Sequence, residues 1–384
     1  MGFDVTVLTA LPNYPTGEIF DEYKGKKESW DEHEKILRTF IKPSKKKSSL
    51  RRLYTYMTFF YSARAGDKRH FKKKSFDIVV ASSPPLFSAL AGVDIATRHG
   101  AKFVFDIRDL WPDIAVSMGM MKKASIPYLW LDSIHFRILR SSDRIIVTTE
   151  TDRSLINSKG YPENKIDFIP NGASLKTFQK LPDDQIKLEK KKLGVEDKFT
   201  LCYSGSLNQG MNDVNTFVPI MEKLRNEKDI VLLLVGDGEN LSEIKSDTQT
   251  RNLENIRFIP TQNLESLNRI LNASDLAIIP RKHMLKGGSG GYPVKMFENW
   301  AVENPVVLCA DNHTEERHLL ENTKGGIAVD AGDIQSAADA IIKFKQDDKL
   351  RVDCGVNGRQ KVVESFSREA STKKLSEILL TLMK

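Results

Sequence analysis

The sequence predicts an α/β protein with two parallel-sheet domains, on three observations. Its 384 residues are enough for two domains of ordinary size. Short apolar runs alternate with helix-period segments along the whole chain. These runs fall into two sets, separated by a polar, Lys-rich stretch at residues 176–192.

The first set predicts strands at residues 5–9, 78–82, 102–106, 144–148 and 165–169. Each is a short run of branched or aromatic residues next to a turn or a helical pattern. Asn171 and Gly172 follow the fifth run and suit a left-handed turn. The second set predicts strands at residues 199–204, 231–235, 256–259, 276–280, 305–309 and 326–329. A last helical pattern covers residues 368–383. The expected domains are 1–175 and 176–365, with 366–384 as a closing helix.

Composition excludes several classes. Hydrophobic residues make up 40% and charged residues 28%, as in a soluble globular chain. No run of eighteen apolar residues occurs, so no membrane-spanning helix is expected. Residues 1–10 read as a strand rather than as a secretory signal. Cys202, Cys309 and Cys354 are scattered. Cys202 and Cys309 lie in apolar runs and read as core residues of a reducing compartment. Cys and His show no metal-ligand spacing. The net charge of +7 is uneven. Residues 42–74 hold twelve Lys or Arg and one acid, Asp67, for 12 − 1 = +11, which leaves 7 − 11 = −4 elsewhere. The aromatic run Leu53 to Tyr61 lies inside that block. Cations beside aromatics suit an anionic membrane surface. No nucleic-acid module accompanies them, and no nucleic-acid partner is expected. The alternative is a solvated basic helix packed on its own domain.

The most informative stretch is residues 286–307. A cationic, Gly-rich loop (Lys286, Gly287, Gly288, Gly290, Gly291) precedes a helix opening near Pro293 that carries Lys295 and Glu298. Glycines let backbone N–H groups approach an anion, and a helix N-terminus adds partial positive charge. A phosphate or diphosphate fits there. Glu298, a turn further in, suits the hydroxyls of a ribose.

Other loops repeat the pattern of polar residues at strand ends. Residues 12–17 read Pro12-Asn13-Tyr14-Pro15-Thr16-Gly17. Asp106, Arg108 and Asp109 precede Leu110-Trp111-Pro112. Asp109 suits an acceptor hydroxyl, whereas Asp106 suits a pair with Arg108 that pins the turn. Gly205 and Gly210 leave room for a diphosphate after residue 204, with Gln209 before the second glycine. Val235-Gly236-Asp237-Gly238 is a strand-to-helix turn.

These motifs resemble the retaining glycosyltransferases of family 4, and within them the branch that makes bacterial and archaeal surface polysaccharides, including fucosamine-type transferases. That branch reads approximately Pro-Ser-Lys-x-Phe-Glu-Tyr-Met-Ala-x-Gly-x-Pro-Val. Pro293, Lys295, Phe297, Glu298, Ala301, Pro305 and Val306 match it; Val294, Asn299, Trp300 and Asn304 depart. The family's second Glu falls at Gly290 here. The resemblance implies the GT-B architecture, two Rossmann-like domains facing across a cleft. It implies a UDP-sugar donor, a lipid-linked saccharide acceptor, and work without a metal or other cofactor at the inner face of the cell membrane. Glu298, Lys286 and Asp109 are the expected catalytic residues. Gly205, Gln209, Gly210, Gly236, Arg281, Gly290, Lys295 and Asn171 are expected at the donor, and Asn13 and Arg108 on the acceptor side. Glu315 and Glu316 fall near a Gly-Glu loop of the family. Residues 1–9 match the family's second strand, so a first strand, Gly-rich loop and helix are expected to be absent. A UDP-sugar 2-epimerase of the same fold and a non-catalytic nucleotide-sugar-binding paralogue are the alternatives.

Overall fold

The computed structural model describes residues 2–13, 17–44, 49–208, 210–285 and 291–383. The chain divides into two units: residues 1–169 with 375–384, and residues 170–374.

The first unit contains β1 (Val7–Ala10), β2 (Glu28–Asp31), β3 (Ile36–Thr39), β4 (Ile78–Ser83), β5 (Lys102–Ile107), β6 (Arg144–Val147) and β7 (Ile166–Phe168). They form two sheets, β1-β3-β2 and β4-β5-β6-β7. The four-stranded sheet is parallel throughout. Its alternate residues bury opposite faces, which is why its strands read as continuous apolar runs. Phe103, Phe105, Ile107, Ile145 and Val147 pack with the helices Leu86–His99 and Ile126–Arg140. Val104, Ile146 and Ile169 pack with Ile378 of the C-terminal helix Arg368–Leu382. β2 and β3 were not expected, and β2 runs antiparallel to β3, with Trp30 opposite Leu37. Their segments mix Glu, Ser, Asp, Arg and Thr with only three apolar residues, Trp30, Ile36 and Leu37. Pairing and cover by the helix Ser49–His70 make them strands, not composition.

The second unit is one sheet of six parallel strands: β8 (Phe199–Ser204), β9 (Ile230–Val235), β10 (Ile256–Ile259), β11 (Leu276–Pro280), β12 (Val306–Cys309) and β13 (Gly326–Val329). The order is β10-β9-β8-β11-β12-β13. Every residue of β9 and β11 is buried. The chain winds outward from β8 to β10, then crosses back to β11 and winds the other way. The strand order therefore reverses between β8 and β11. In open α/β sheets this switch point, at the carboxyl ends of the strands, is where a crevice for ligand opens.

Candidate active site

The switch point of the second unit is walled by the loops after β8 and β11 and by the helix Val294–Ala301. The helix begins after Pro293, whose φ of −69° and ψ of 115° are extended. Pro there loses no hydrogen bond, since the first turn's N–H groups lack helical partners.

Lys295 lies in that first turn. Its ammonium sits 3.7 Å from the centroid of the Tyr203 ring at the end of β8. Burial, with the nearby Arg281 guanidinium, pushes its pKa down to about 7. The loop after β8 must make room for it. A Cβ on Gly205 would lie 3.0 Å from Lys295 Nζ, and Gly205 has φ of +138°. Gly236 has φ of +144°, and a Cβ there would sit 2.0 Å from the Gly205 carbonyl oxygen. The two glycines therefore let the β8 and β9 turns touch backbone to backbone beneath the lysine.

Glu298 is on the next turn of the same helix, half-buried. Burial raises its carboxyl pKa, opposed by the charges of Lys295 and Arg368. Lys295 and Glu298 thus form a cation and an acid side by side at a switch point, in surroundings that disfavour both charges. A ligand offering an anion to one and hydroxyl donors to the other would relieve both.

Arg281, at the end of β11, is buried, and its Nε–H donates to Glu316 at 3.2 Å. Its other nitrogens reach Asn212 Oδ1 and the Gly291 carbonyl, each at 3.3 Å. Glu316 is 2% exposed. Its role as the counter-ion of Arg281 was missed in the sequence; a Glu at a helix start reads as an N-terminal charge, and only the fold turns it inward. Tyr203 was missed too, because an aromatic in a strand reads as core.

The remaining expected residues are placed as follows. Asp109 in the first unit is half-buried, and burial raises its carboxyl pKa. Arg108 Nε–H donates to Asp106 at 2.8 Å, and the Ser82 hydroxyl donates to the same oxygen at 2.7 Å. Asp106 therefore holds the β4–β5 ends together, as a pinning pair would. Asn13 Nδ2–H donates to the Leu11 carbonyl at 2.8 Å. Gly210 has open space where a Cβ would stand, so packing does not require glycine there. Lys286, Gly290 and Gln209 lie outside the described residues, as do Tyr14, Pro15 and Thr16. The left-handed turn expected at Asn171-Gly172 is not formed, since neither residue has positive φ. Gly172 is needed for a different reason: a Cβ there would lie 2.2 Å from the Phe366 carbonyl oxygen, where Ala173 bridges to Ser367.

The departures from the helix motif are structural. Asn299 Nδ2–H donates to the Lys295 carbonyl at 2.8 Å, and Asn304 Nδ2–H to the Leu271 carbonyl at 2.6 Å. Trp300 is fully buried and donates Nε1–H to the Gly325 carbonyl at 2.9 Å. Cβ atoms on Gly325 or Gly358 would lie 2.6 or 2.3 Å from its ring, so those glycines accommodate the indole. One departure passed unnoticed in the sequence: Glu303 stands at the motif's Gly position, and has φ of +66°.

Among the described residues one group has metal-ligand geometry. Ligand atoms of Asp113, Asp132 and His135 lie within 4.8 Å of one another. Lys159 Nζ is 2.6 Å from Asp113 and 3.1 Å from Asp132, so the ammonium bridges the two carboxylates and offsets one of their two charges. Burial holds His135 uncharged, at about 4.

Comparison with known proteins agrees with this geometry. Residues 1–172 match the family described as "Glycosyl transferase 4-like domain", and residues 184–361 the family "Glycosyl transferases group 1". Both halves of the chain are glycosyltransferase domains. WcaI of Escherichia coli K12, named as a colanic acid biosynthesis glycosyl transferase, is 27% identical over 341 residues, which is 85% of this chain and 80% of the relative. A UDP-Gal:alpha-D-GlcNAc-diphosphoundecaprenol alpha-1,3-galactosyltransferase of Escherichia coli is 24% identical over 81% of this chain and 77% of its own. The fold is GT-B. HepE of Anabaena, solved in complex with UDP, superposes with a TM-score of 0.71 at 13% identity over 91% of this chain and 87% of that one. WaaG, a lipopolysaccharide-biosynthesis glycosyltransferase, superposes with a TM-score of 0.67 at 14% identity over 91% and 88%. The glycosyltransferase belongs to polysaccharide biosynthesis.

Proposed function

We propose that this glycosyltransferase moves a hexosyl or N-acetylhexosaminyl group, with retention, from a UDP-sugar to a saccharide on a lipid diphosphate carrier. The observation that carries this reading is the Lys295–Glu298 pair at the sheet's switch point, with Gly205 and Gly236 opening the floor beneath the ammonium. Lys295 is assigned to the diphosphate, with Lys286 added on the motif resemblance alone, and Glu298 is assigned to accept hydrogen bonds from the ribose hydroxyls. UDP is supported by the nucleotide bound in HepE, and the lipid-linked acceptor by the galactosyltransferase relative. Asp109, with its raised pKa, is assigned to the acceptor, together with Arg108 and Asn13. Charge on the leaving diphosphate is stabilised by lysine rather than by a metal in this scheme. The fucosamine-type assignment rests on motif resemblance alone.

Action at the inner face of the membrane is supported by the helix Ser49–His70, which exposes Leu50, Tyr54 and Tyr61 among its basic residues. Among the described residues no helix is long and apolar enough to cross a membrane.

Calorimetric titration of UDP into the protein and into Glu298→Gln tests the donor site. Losing charged acceptance of the ribose hydroxyls is expected to cost about 1.5–3 kcal/mol, roughly ten- to a hundredfold in Kd. Equal affinities remove Glu298 from the site.

A further inference from the structure

The segment that leaves β11 is held from its first residue. Arg281 N–H donates to the Cys309 carbonyl at 2.8 Å, Lys282 N–H to the Met211 carbonyl at 3.0 Å, and Met284 N–H to Asp311 Oδ2 at 2.7 Å. The backbone of Arg281 is therefore fixed, and only its side chain is left to aim. That side chain is 5% exposed, with buried Glu316 of the helix Glu315–Thr323 beside it. A buried guanidinium and carboxylate are costly to desolvate, and such a pair persists where the remaining N–H groups also find partners.

Those partners span the switch point. Nη1–H meets Asn212 Oδ1 in the loop after β8, and Nη2–H meets the Gly291 carbonyl, just before the helix that carries Lys295, each at 3.3 Å. Asn212 in turn hydrogen-bonds the Tyr203 hydroxyl, which donates to the Ser206 carbonyl at 2.9 Å. The Tyr203 ring is the surface on which the Lys295 ammonium rests. Two routes thus run from the Arg281 guanidinium to Lys295. One passes through Asn212 and Tyr203, the other through Gly291 and the start of the helix. With Nε committed to Glu316, all three guanidinium nitrogens already donate within the protein. An arginine that grips a phosphate turns its planar fork toward the ligand. Here the fork is turned toward protein.

We infer that Arg281 is a positioning residue of the donor site and not a ligand of the diphosphate: anchored by Glu316, it holds Tyr203 and the start of the helix Val294–Ala301 so that Lys295 meets the anion. This inference rests on the donor reading of Lys295 given above. Arg281 also acts electrostatically at the same place. The titratable groups facing Lys295 are Arg281 after β11, Glu298 on its own helix, and Cys202 and Tyr203 of β8. Burial keeps the Cys202 thiol and the Tyr203 phenol protonated, which leaves Arg281 and Glu298 as the charges. After burial, the Arg281 charge does most to lower the Lys295 pKa. Removing that charge raises the pKa, so near pH 8 more of the lysine is already an ammonium and UDP takes up fewer protons.

The test is calorimetric titration of UDP near pH 8, in buffers of different ionisation enthalpy. It compares the unaltered protein with Arg281→Lys, with Arg281→Met and Glu316→Leu together, with Lys295→Met, and with all three of the last substitutions combined. Arg281→Lys keeps a cation but not the three-way fork, and is expected to weaken UDP about tenfold. The Arg281→Met, Glu316→Leu pair removes both buried charges at similar volume, which folding tolerates better than the loss of one partner. It is expected to weaken UDP about tenfold and to lower the proton uptake. Residues that act through one another do not add, so the triple variant should bind within about threefold of Lys295→Met alone. Losses that multiply in the triple variant make Arg281 an independent ligand and overturn the inference. So does Arg281→Lys binding within about threefold of the unaltered protein, or proton uptake unchanged in the paired variant. Failure of the unaltered protein to bind UDP, or full affinity in Lys295→Met, overturns the donor reading and this inference with it.

Discussion

Lys295 shows how the surroundings shift the pKa of a side chain ordinary in sequence. A lysine at a helix start is usually a solvated cation; here burial, with the charge of Arg281, brings its pKa down to about 7. The folded value lies below the ordinary 10.5, so the unfolded chain binds more protons between about pH 7 and 10.5. This group's contribution to stability therefore rises with pH across that window and is least favourable below it. Diphosphate binding acts in the opposite sense, because the anion favours the ammonium. UDP binding near pH 8 is expected to take up protons, and its affinity to fall as pH rises above 7, where the terminal phosphate is already ionised. Calorimetry in buffers of different ionisation enthalpy measures the uptake, and Lys295→Met should abolish it. Uptake unchanged in that variant would place the proton elsewhere. Glu303 carries a separate expectation. Its φ of +66° strains a residue with a Cβ, and its ion pair with Arg359 is a long one, 3.6 Å. Glu303→Gly should stabilise the protein by about 0.5–1 kcal/mol, read as a higher urea midpoint at unchanged slope.

At the scale of elements, the helix Ser49–His70 settles part of what its sequence left open. Phe60 and Ala63 are buried against the helix Leu86–His99, so one face does pack on its own domain. Leu50, Tyr54 and Tyr61 remain 78%, 55% and 58% exposed. Spacings of four and seven residues bring these three near one side of the helix, with Arg51 and Arg52 beside them. That side is expected to bind vesicles containing anionic lipid. Flotation should weaken as salt rises, since screening contracts below about 8 Å beyond physiological ionic strength. Replacing Lys45, Lys46, Lys47, Arg51 and Arg52 with serine should abolish it. Retention of binding by that variant excludes the basic block as the membrane contact.

At the scale of the whole molecule, the residues assigned here to the donor lie in one of its two units. Tyr203, Gly205, Gly236, Arg281, Lys295 and Glu298 all fall within residues 170–374. UDP at about a hundred times its Kd is expected to stabilise that unit by about 2.7 kcal/mol. Hydrogen-exchange protection should gather at residues 203–206 and 294–298. Protection found mainly in residues 1–169 would contradict the donor assignment.

The sequence by itself determined the elements whose signal is local. Short apolar runs gave β4 to β13 with ends off by at most one residue, because strands covered on both faces, as β9 and β11 are, need no partner to look apolar. The Pro-led helix start that carries Lys295 and Glu298 was legible for the same reason, as a backbone requirement written in neighbouring residues. β2 and β3 were not legible, since polar four-residue strands exist only through pairing and helix cover. Nor was the ion pair of Arg281 with Glu316, 35 positions apart, or the contact of Gly172 with the Phe366 backbone. Tertiary structure decided all of these, because each depends on which backbone or charge arrives opposite, and that is set by strand order rather than by adjacent sequence.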